Sequence, residues 1–532
     1  MAADHTIGSV RFLWEAVPRW AALHPEREAV VDGKLRLSWR ELDRHIRALA
    51  EVLRRAGVRP GDCVAQVSPP NAAFPIAFMA AARLGAFWAG FSPRYAPGEL
   101  YAMLEDCAPA ALIADLSEPC GISPATYHAI RNASDNLLLA LTVGGPAESG
   151  DPDFWETIQS EDGATCTDPA GEQLDPDAPA LLLYTSGSTG RPLGVLHSHR
   201  SILANVVHEA RLFGIREDSR FLLHFPINHV AADVEIGYCT LYAGGTLVIL
   251  PKFSPRDVMA TVASEQVTVL GQVPAMYSML FADPEFSPTP FRSVKTFIYG
   301  GGVMSRELIR QLESLAGSVG AAIVTGYGLS EFAGFVSASL PGDSLFPGYA
   351  GRLYPDCEMR IADTSGAPLP DGEAGEILLR GPYRMLGYLN QPGITQSRLN
   401  NDGWFRTGDI GVLKNGTLEF RGRATEMFKS GGENIFPTEI EQVLETHPSV
   451  LAAAIVAVPD PTFGEVAHAF VVPQPGHSLS EDALRAYCAG RLAHFKVPRR
   501  FHFRDRLPML SSGKVDRITL RSWTVEAKEP AP

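Results

Sequence analysis

Two hydrophobic periods alternate along this chain. Short apolar, β-branched runs such as Leu247-Val-Ile-Leu250 and Val267-Thr-Val-Leu270 have strand length, and between them lie stretches with helical spacing, Ser305 to Leu315 among them. Strand-length runs alternating with helical patterns predict an α/β fold with parallel strands. Pro341 to Pro382 is rich in Pro and Gly with short strand-like pieces, Glu376-Ile-Leu-Leu379 included, which predicts a β-rich subdomain. Past Gly422 the pattern changes to a compact α+β unit with helix 437–446, strands 452–458 and 468–472, and helix 480–492. The predicted division is a large N-terminal domain, residues 1–422, and a small C-terminal domain, residues 423–532. No internal repeat or low-complexity segment interrupts it.

Ala72 to Phe91 is the one stretch long and apolar enough to suggest a membrane span, but Pro75, Arg83 and Gly85 break it. An arginine at mid-bilayer costs roughly 2.5–3.5 kcal/mol even on the lenient insertion scale. The segment therefore predicts a buried helix running toward a strand. Asp4, Arg11 and Glu15 leave the first residues without the uninterrupted apolar core of a secretory signal, so the mature protein is expected to start here.

Composition adds exclusions. At 532 residues, 45% hydrophobic and 20% charged, the chain is globular and too long for one ordinary core. A formal charge of −14 argues against a nucleic-acid partner, which normally selects a basic footprint, and against an anionic membrane surface. The seven cysteines are scattered, odd in number and never spaced as CxxC, which fits reduced thiols in a cytoplasm.

The apolar run Ala180 to Leu183 leads into Tyr184-Thr-Ser-Gly-Ser-Thr-Gly-Arg-Pro-Leu-Gly-Val195. Gly187 and Gly190 let the backbone close around an anion, and Thr185, Ser186, Ser188 and Thr189 add hydroxyl donors, so the segment reads as a phosphate loop at a strand's carboxyl end. By itself the composition is also that of a flexible Gly/Ser linker. No Lys-Ser or Lys-Thr follows Gly190 as a Walker A loop requires, and Gly-x-Ser-x-Gly fails at Thr189. Ser511-Ser-Gly-Lys514 and Ser134-Asp-Asn136 match two β-lactamase elements, but in reversed order and without Lys-Thr-Gly, a coincidence. His229-Val-Ala-Ala-Asp233 has the His-x-x-x-Asp spacing of acyltransferases, with both side chains on one face if helical, although Val234 stands where a glycine usually follows.

Further blocks follow in one order: Gly326-Tyr-Gly-Leu-Ser-Glu331, Trp404-Phe-Arg-Thr-Gly-Asp409, Gly422-Arg423, Ser430-Gly-Gly-Glu-Asn-Ile-Phe-Pro-Thr-Glu-Ile-Glu441, and Leu507-Pro508 leading to Gly513-Lys514. With the loop, they make the chain resemble the adenylate-forming superfamily from about Trp14 to Arg517. That superfamily comprises acyl- and aryl-CoA synthetases, peptide-synthetase adenylation domains and beetle luciferases, and the likeness is strongest to the acyl- and aryl-CoA ligases. The resemblance implies an enzyme using ATP, magnesium and coenzyme A to activate a carboxylic acid as acyl-AMP. It also implies a large α/β domain and a mobile C-terminal domain.

Site roles come with the resemblance. It makes Glu331 the magnesium-binding glutamate, gives the Ser330 hydroxyl to the α-phosphate, and stacks Tyr327, between Gly326 and Gly328, on adenine. Asp409 would accept both ribose hydroxyls, with Arg423 adding a ribose or phosphate contact. Gly302 and Val303 would form the adenine and acyl wall, and Gly300 and Gly301 would join His229 and Asp233 around the acid, with His229 gating the path to the acceptor. Lys514 would reach across to the carboxylate and the α-phosphate as the catalytic lysine. The tunnel to the acceptor would be flanked by Ser430, Gly431, Gly432 and Glu433.

Two positions depart from the family pattern. Pro192-Leu193-Gly194 stands where Pro-Lys-Gly is usual, so a cation near the outgoing phosphates is missing. A hydrogen bond to a charged group contributes roughly 1.5–3 kcal/mol, so about one to two decades of rate or ATP affinity are at stake. The hinge position, usually Asp or Lys, is Thr425. Asp233 is expected either to be buried and paired with His229 or to face solvent, or else to recognise or deprotonate an amine, because two carboxylates in one pocket repel. The acceptor therefore stays open between coenzyme A and an amine, and Leu193 alone keeps a silent binding protein as a third reading.

Overall fold

The computed structural model describes residues 10–145, 150–161, 174–185, 192–400, 402–474, 476–509 and 515–526. Three sheets organise it, of seven, thirteen and five strands. In the seven-stranded sheet the strands Cys63–Val67, Phe87–Phe91 and Ala111–Asp115 are buried along their whole length. That is the state of parallel strands covered on both faces, and it explains their lack of alternation. The helix Ala73–Arg83 is buried at every residue and leads to Phe87–Phe91, as predicted. Pro75 sits in its first turn, where a missing N–H breaks no helical bond, and the Arg83 guanidinium lies over the Trp14 ring at 4.7 Å. No described helix is long and apolar enough to cross a membrane.

Six central strands of the thirteen-stranded sheet are parallel: Glu28–Asp32, Thr246–Ile249, Arg220–Leu223, Val269–Gln272, Thr296–Tyr299 and Ala322–Leu329, in that spatial order. The chain leaves Arg220–Leu223 toward Thr246–Ile249 on one side, then returns to Val269–Gln272 on the other. The two connections also pack on opposite faces. Val234, Ile236 and Cys239 join the core with Phe221 and Leu223, whereas Val258 and Val262 join the core with Leu222 and Leu270. Ligands in open α/β sheets bind at such a reversal, outside the strands' carboxyl ends.

After Ala322–Leu329 the sheet changes character. A three-residue 3-10 turn, Ser330–Phe332, with Ala333 at φ +57°, returns the chain as the antiparallel strand Gly334–Ala338. So short a connection permits only antiparallel pairing. The Pro- and Gly-rich region expected as a subdomain does form strands, Tyr349–Leu353, Glu358–Ala362 and Ala374–Arg380, but they extend this same sheet.

The five-stranded sheet begins at Phe428. Its long strands Val450–Asp460 and Gly464–Pro473 and helices Pro437–Glu445 and Glu481–Ala489 match the predicted C-terminal unit and enclose a core of their own. Arg517 ties the last helix to it, donating to Glu441 and to the Ile455 carbonyl, each at 2.6 Å.

Candidate active site

The turn carrying Ser330 and Glu331 is fixed from below by the strand Leu193–Ser198 and the helix His199–Leu212. His197 Nε2 lies 2.6 Å from the Ser330 carbonyl and Nδ1 lies 3.1 Å from the Ser201 hydroxyl. The imidazole is fully buried, and burial pushes its pKa down to about 4, so it is neutral and donates from Nε2 to the carbonyl. One helical turn away, Asn205 donates to the Phe332 and Phe335 carbonyls at 3.2 and 2.7 Å, and Glu209 accepts the Phe335 N–H at 2.9 Å. On the opposite side the Met385 N–H donates to the Glu331 carbonyl at 2.8 Å. The Glu331 carboxylate accepts the Tyr388 hydroxyl at 2.7 Å. Burial and the nearby Glu331 hold that phenol well above its usual range, so it stays a donor.

No group of three metal-ligating side chains exists among the described residues. A magnesium ion carried on phosphate oxygens needs only a single protein carboxylate, and an oriented Glu331 fits that demand.

Further along the same sheet, Asp409 and Arg423 are register neighbours on the paired strands Phe405–Lys414 and Thr417–Arg423. The Tyr327 hydroxyl donates to Asp409 Oδ2 at 2.6 Å, and Arg423 Nε lies 3.5 Å from Oδ1. Tyr327 is only 7% exposed and packs on Phe420 with ring centroids 5.9 Å apart. Its hydroxyl thus orients the carboxylate, a task beyond the adenine stacking expected of it.

Gly300, Gly301, Gly302 and Val303 follow the strand Thr296–Tyr299. Gly300 was expected to line the acid pocket; a Cβ there would fall 2.6 Å from the Phe335 ring, so the phenyl takes that side of it. Gly301 and Gly302 are exposed and lie against Val273 and Pro274.

A match to the AMP-binding enzyme family covers residues 17–389, and the C-terminal domain of that family matches residues 439–514. The chain belongs to the AMP-binding enzymes. It is 35% identical over 502 residues to a feruloyl-CoA synthase of an Amycolatopsis species, covering 93% of this chain and 96% of that one. Among solved structures it resembles ATP-bound MatB from Rhodopseudomonas palustris, with a TM-score of 0.87, 26% identity and coverage of 98% and 100%. The amide bond synthetase McbA from Marinactinospora thermotolerans is also similar, with a TM-score of 0.83, 28% identity and coverage of 96% and 99%.

In this AMP-binding enzyme Thr185 ends the strand Pro179–Thr185, and its hydroxyl donates to the Leu193 carbonyl at 3.4 Å. The Leu193 side chain is half-buried against the main core. Ser186, Gly187, Ser188, Thr189 and Gly190, like Lys514, lie outside the described residues.

The expected placement of Asp233 is wrong. It neither pairs with His229 nor faces solvent: it is 0% exposed in the π-helical segment Ala231–Tyr238, and neither carboxylate oxygen has a hydrogen-bond partner. Burial alone pushes its pKa well above the carboxylate range, which disfavours the carboxylate form that would take a proton from an amine. His229 caps the start of this helix: its carbonyl accepts from Ala232 and Asp233 N–H at 2.9 and 3.2 Å, and Nδ1 accepts from Ala231 at 3.2 Å.

Thr425 occupies the turn directly after the strand ending at Arg423. Ser430 to Glu433 form a hairpin tip between Phe428–Ser430 and Glu433–Ile435, with Gly431 at φ +60° and Gly432 at φ +90°. Two successive positive φ values are what a tight hairpin demands, and glycines supply them without strain.

His197, Asn205, Glu209 and Tyr388 are the contributors that sequence reasoning missed. Asn205 and Glu209 had left a signal, since they are polar at i, i+4 on the helix face that also carries Ile202 and Val206. Tyr388, 57 residues from Glu331, had left none.

Proposed function

We propose that this AMP-binding enzyme is an ATP-dependent carboxylic acid–CoA ligase. The observation that carries the reading is two oriented carboxylates served by one hairpin, Glu331 at its turn held by Tyr388 and Asp409 held by Tyr327 of the hairpin's first strand. A nucleoside triphosphate bound with its ribose on Asp409 and Arg423 would present its α-phosphate to Ser330 and its magnesium to Glu331. The ion neutralises phosphate charge when bound. A carboxylate oxygen of the acid attacks the α-phosphorus as the bond to the bridging oxygen breaks and pyrophosphate leaves. Lys514 stabilises the charge shared by the attacking oxygen and the phosphate. Rotation at Thr425 then brings Ser430 to Glu433 to the site, and the sulfur of coenzyme A attacks the acyl carbon, releasing AMP.

Coenzyme A is favoured over an amine because the base proposed for amine attack, Asp233, is fully buried without a hydrogen-bond partner, and that burial disfavours its carboxylate form. A reducing, cytoplasmic setting suits the six described cysteines, all of them free. The test is acid-dependent exchange of pyrophosphate into ATP across a panel of acids, followed by product analysis with coenzyme A and with amines. Exchange plus thioester supports the reading. Absence of exchange with every acid, or amide as the only product, overturns it.

A further inference from the structure

Two carboxyl groups meet beneath the turn that carries Ser330 and Glu331. Glu209 comes from the helix His199–Leu212 and Glu235 from the π-helical segment Ala231–Tyr238, and a Cβ on Gly334, just past the turn, would come within 3.2 Å of Oε1 of each. Glu209 is 0% exposed; its Oε1 accepts the Phe335 N–H, but Oε2 has no hydrogen-bond partner. One turn earlier, Asn205 is equally buried, and because its amide nitrogen donates to two carbonyls, Oδ1 is left unpaired. Glu235 makes no hydrogen bond or ion pair with any described residue. The Tyr354 hydroxyl is unpaired too, in a side chain 3% exposed. Burial, then the charges of Glu209 and Glu235, hold this phenol well above its usual range, which places it beside the pair.

Solvent reaches the cluster along one edge of the π-helical segment. Glu235 is partly exposed although residues 232–234 and 236–238 are all buried. Ala231, four residues before it, and His229, which caps the segment, are partly exposed as well, as are Leu329, Ser330 and Glu331 on the neighbouring turn. The segment packs on the sheet face that bears Phe221 and Leu223. An opening thus runs from the turn that would handle the acid's carboxylate, past His229, to the two carboxyl groups.

Resting on the ligase reading, we propose that Glu235 and Glu209 select carboxylic acids that carry a protonated amine at the end remote from the carboxylate. Buried polar groups in native proteins are almost always paired, so several orphans beside an opening mark a place where the partner arrives with the ligand. What goes unmet here is chiefly acceptors. An ammonium brings three donors to them, whereas a hydroxyl brings one. Burial pushes Glu235 up to about 7, and burial together with Glu235 raises Glu209 well above its ordinary value; an opposite charge between them favours the ionised forms again. The same two groups repel a carboxylate, so an acid with an amine at its far end enters with its carboxyl toward Ser330. Glu235 is a specificity residue in this scheme, and the chemistry at the carboxylate does not depend on it.

The test uses matched acids whose remote end is a methyl, a hydroxyl or an ammonium: nonanoic, 8-hydroxyoctanoic and 8-aminooctanoic acid, and 4-ethylcinnamic, 4-hydroxymethylcinnamic and 4-aminomethylcinnamic acid. The intact protein is assayed by ATP–pyrophosphate exchange, and acid binding is measured by calorimetry. At least tenfold higher kcat/KM is expected for the amino member of one set over both its partners. Glu235→Gln should remove most of that ratio, acting through KM, while the methyl member is used as well or better. Tyr354→Phe should act in the same direction, and melting curves establish that both variants are folded. Equal use of all members by the wild type, or a preference for the methyl ones, would overturn the selection and leave the ligase intact. A hydroxyl member used as well as the amino one would overturn the charge requirement, and an unchanged ratio in folded Glu235→Gln would show that the pair serves the fold alone. Absence of exchange with every acid would overturn the ligase reading itself, and calorimetric affinities for the three members would then decide the selection.

Discussion

Tyr327 donates its hydroxyl to Asp409 at 2.6 Å, from a ring 93% buried to a carboxylate 82 residues further along the chain. The bond fixes which way the carboxylate faces before any ribose arrives, so less ordering is left to be done on binding. Removing the hydroxyl while keeping the ring isolates that contribution. Tyr327→Phe is expected to raise KM for ATP about tenfold, in line with the roughly 1.5–3 kcal/mol of a hydrogen bond to a charged group, with kcat changed far less. A KM unchanged in initial-rate kinetics would remove Asp409 from the ribose site.

Tyr388 does for Glu331 what Tyr327 does for Asp409. Its hydroxyl holds Oε1 at 2.7 Å, and Tyr388→Phe leaves the carboxylate free to rotate. The expected result is a several-fold rise in the magnesium concentration giving half-maximal rate, with recovery in excess magnesium. A titration superimposing on the wild type would mean that Glu331 is not the ligand.

Lys514→Ala is expected to lower ATP–pyrophosphate exchange by about 10²–10³-fold, the loss seen when one preorganised donor is removed. Thioester formation from supplied acyl-AMP should be retained. Both half-reactions are measured on the same preparation, and equal losses in the two would take Lys514 out of the adenylation step.

Much of this was legible in the sequence, and the limits follow from what sequence patterns encode. The strand Thr246–Ile249 and the helix Arg306–Val319 announce themselves by period. Glu331, Asp409 and Arg423 are found by their local blocks. Gly and Pro density between Pro341 and Pro382, with short apolar pieces, signals short strands, but nothing local says which sheet they join. The same blindness hides Phe335 behind Gly300, since that contact depends on how the strands are aligned. Asp233 was misjudged because helical spacing from His229 fixes a relative direction without fixing what surrounds it.

Leu193 replaces the usual lysine, and its side chain packs half-buried against the core beside Thr185. A lysine stem can cover the same apolar surface while its ammonium reaches outward. Leu193→Lys is therefore expected to raise kcat/KM for ATP about tenfold, matching the lower end of the range for a charged hydrogen bond, with a melting temperature nearly unchanged. An inactive or poorly folded variant would show that this segment is built around the apolar contact.

Glu235 and Glu209 converge beneath the Glu331 turn: a Cβ on Gly334 would lie 2.5 Å from Glu209 Oε1 and 3.2 Å from Glu235 Oε1. Burial pushes Glu235 up to about 7, and burial together with Glu235 pushes Glu209 well above its ordinary value. A carboxyl raised on folding binds its proton more tightly in the native state, so between about pH 4.5 and 7 it makes stability fall as pH rises. The buried His197, His199 and His224, each lowered to about 4, act the other way, and stability is lost as pH falls from about 6.5 toward 4. The two trends overlap, so the wild-type profile alone cannot separate them, but the histidines cancel when a carboxyl variant is compared with the wild type. Gln is close in shape to a protonated Glu and carries no titration. The stability of Glu235→Gln relative to the wild type should therefore grow steadily from about pH 4.5 to 7 and then level off, as read by denaturant melts at fixed pH. A difference independent of pH across that window would mean that Glu235 titrates as an ordinary surface acid and that the pair shares no proton.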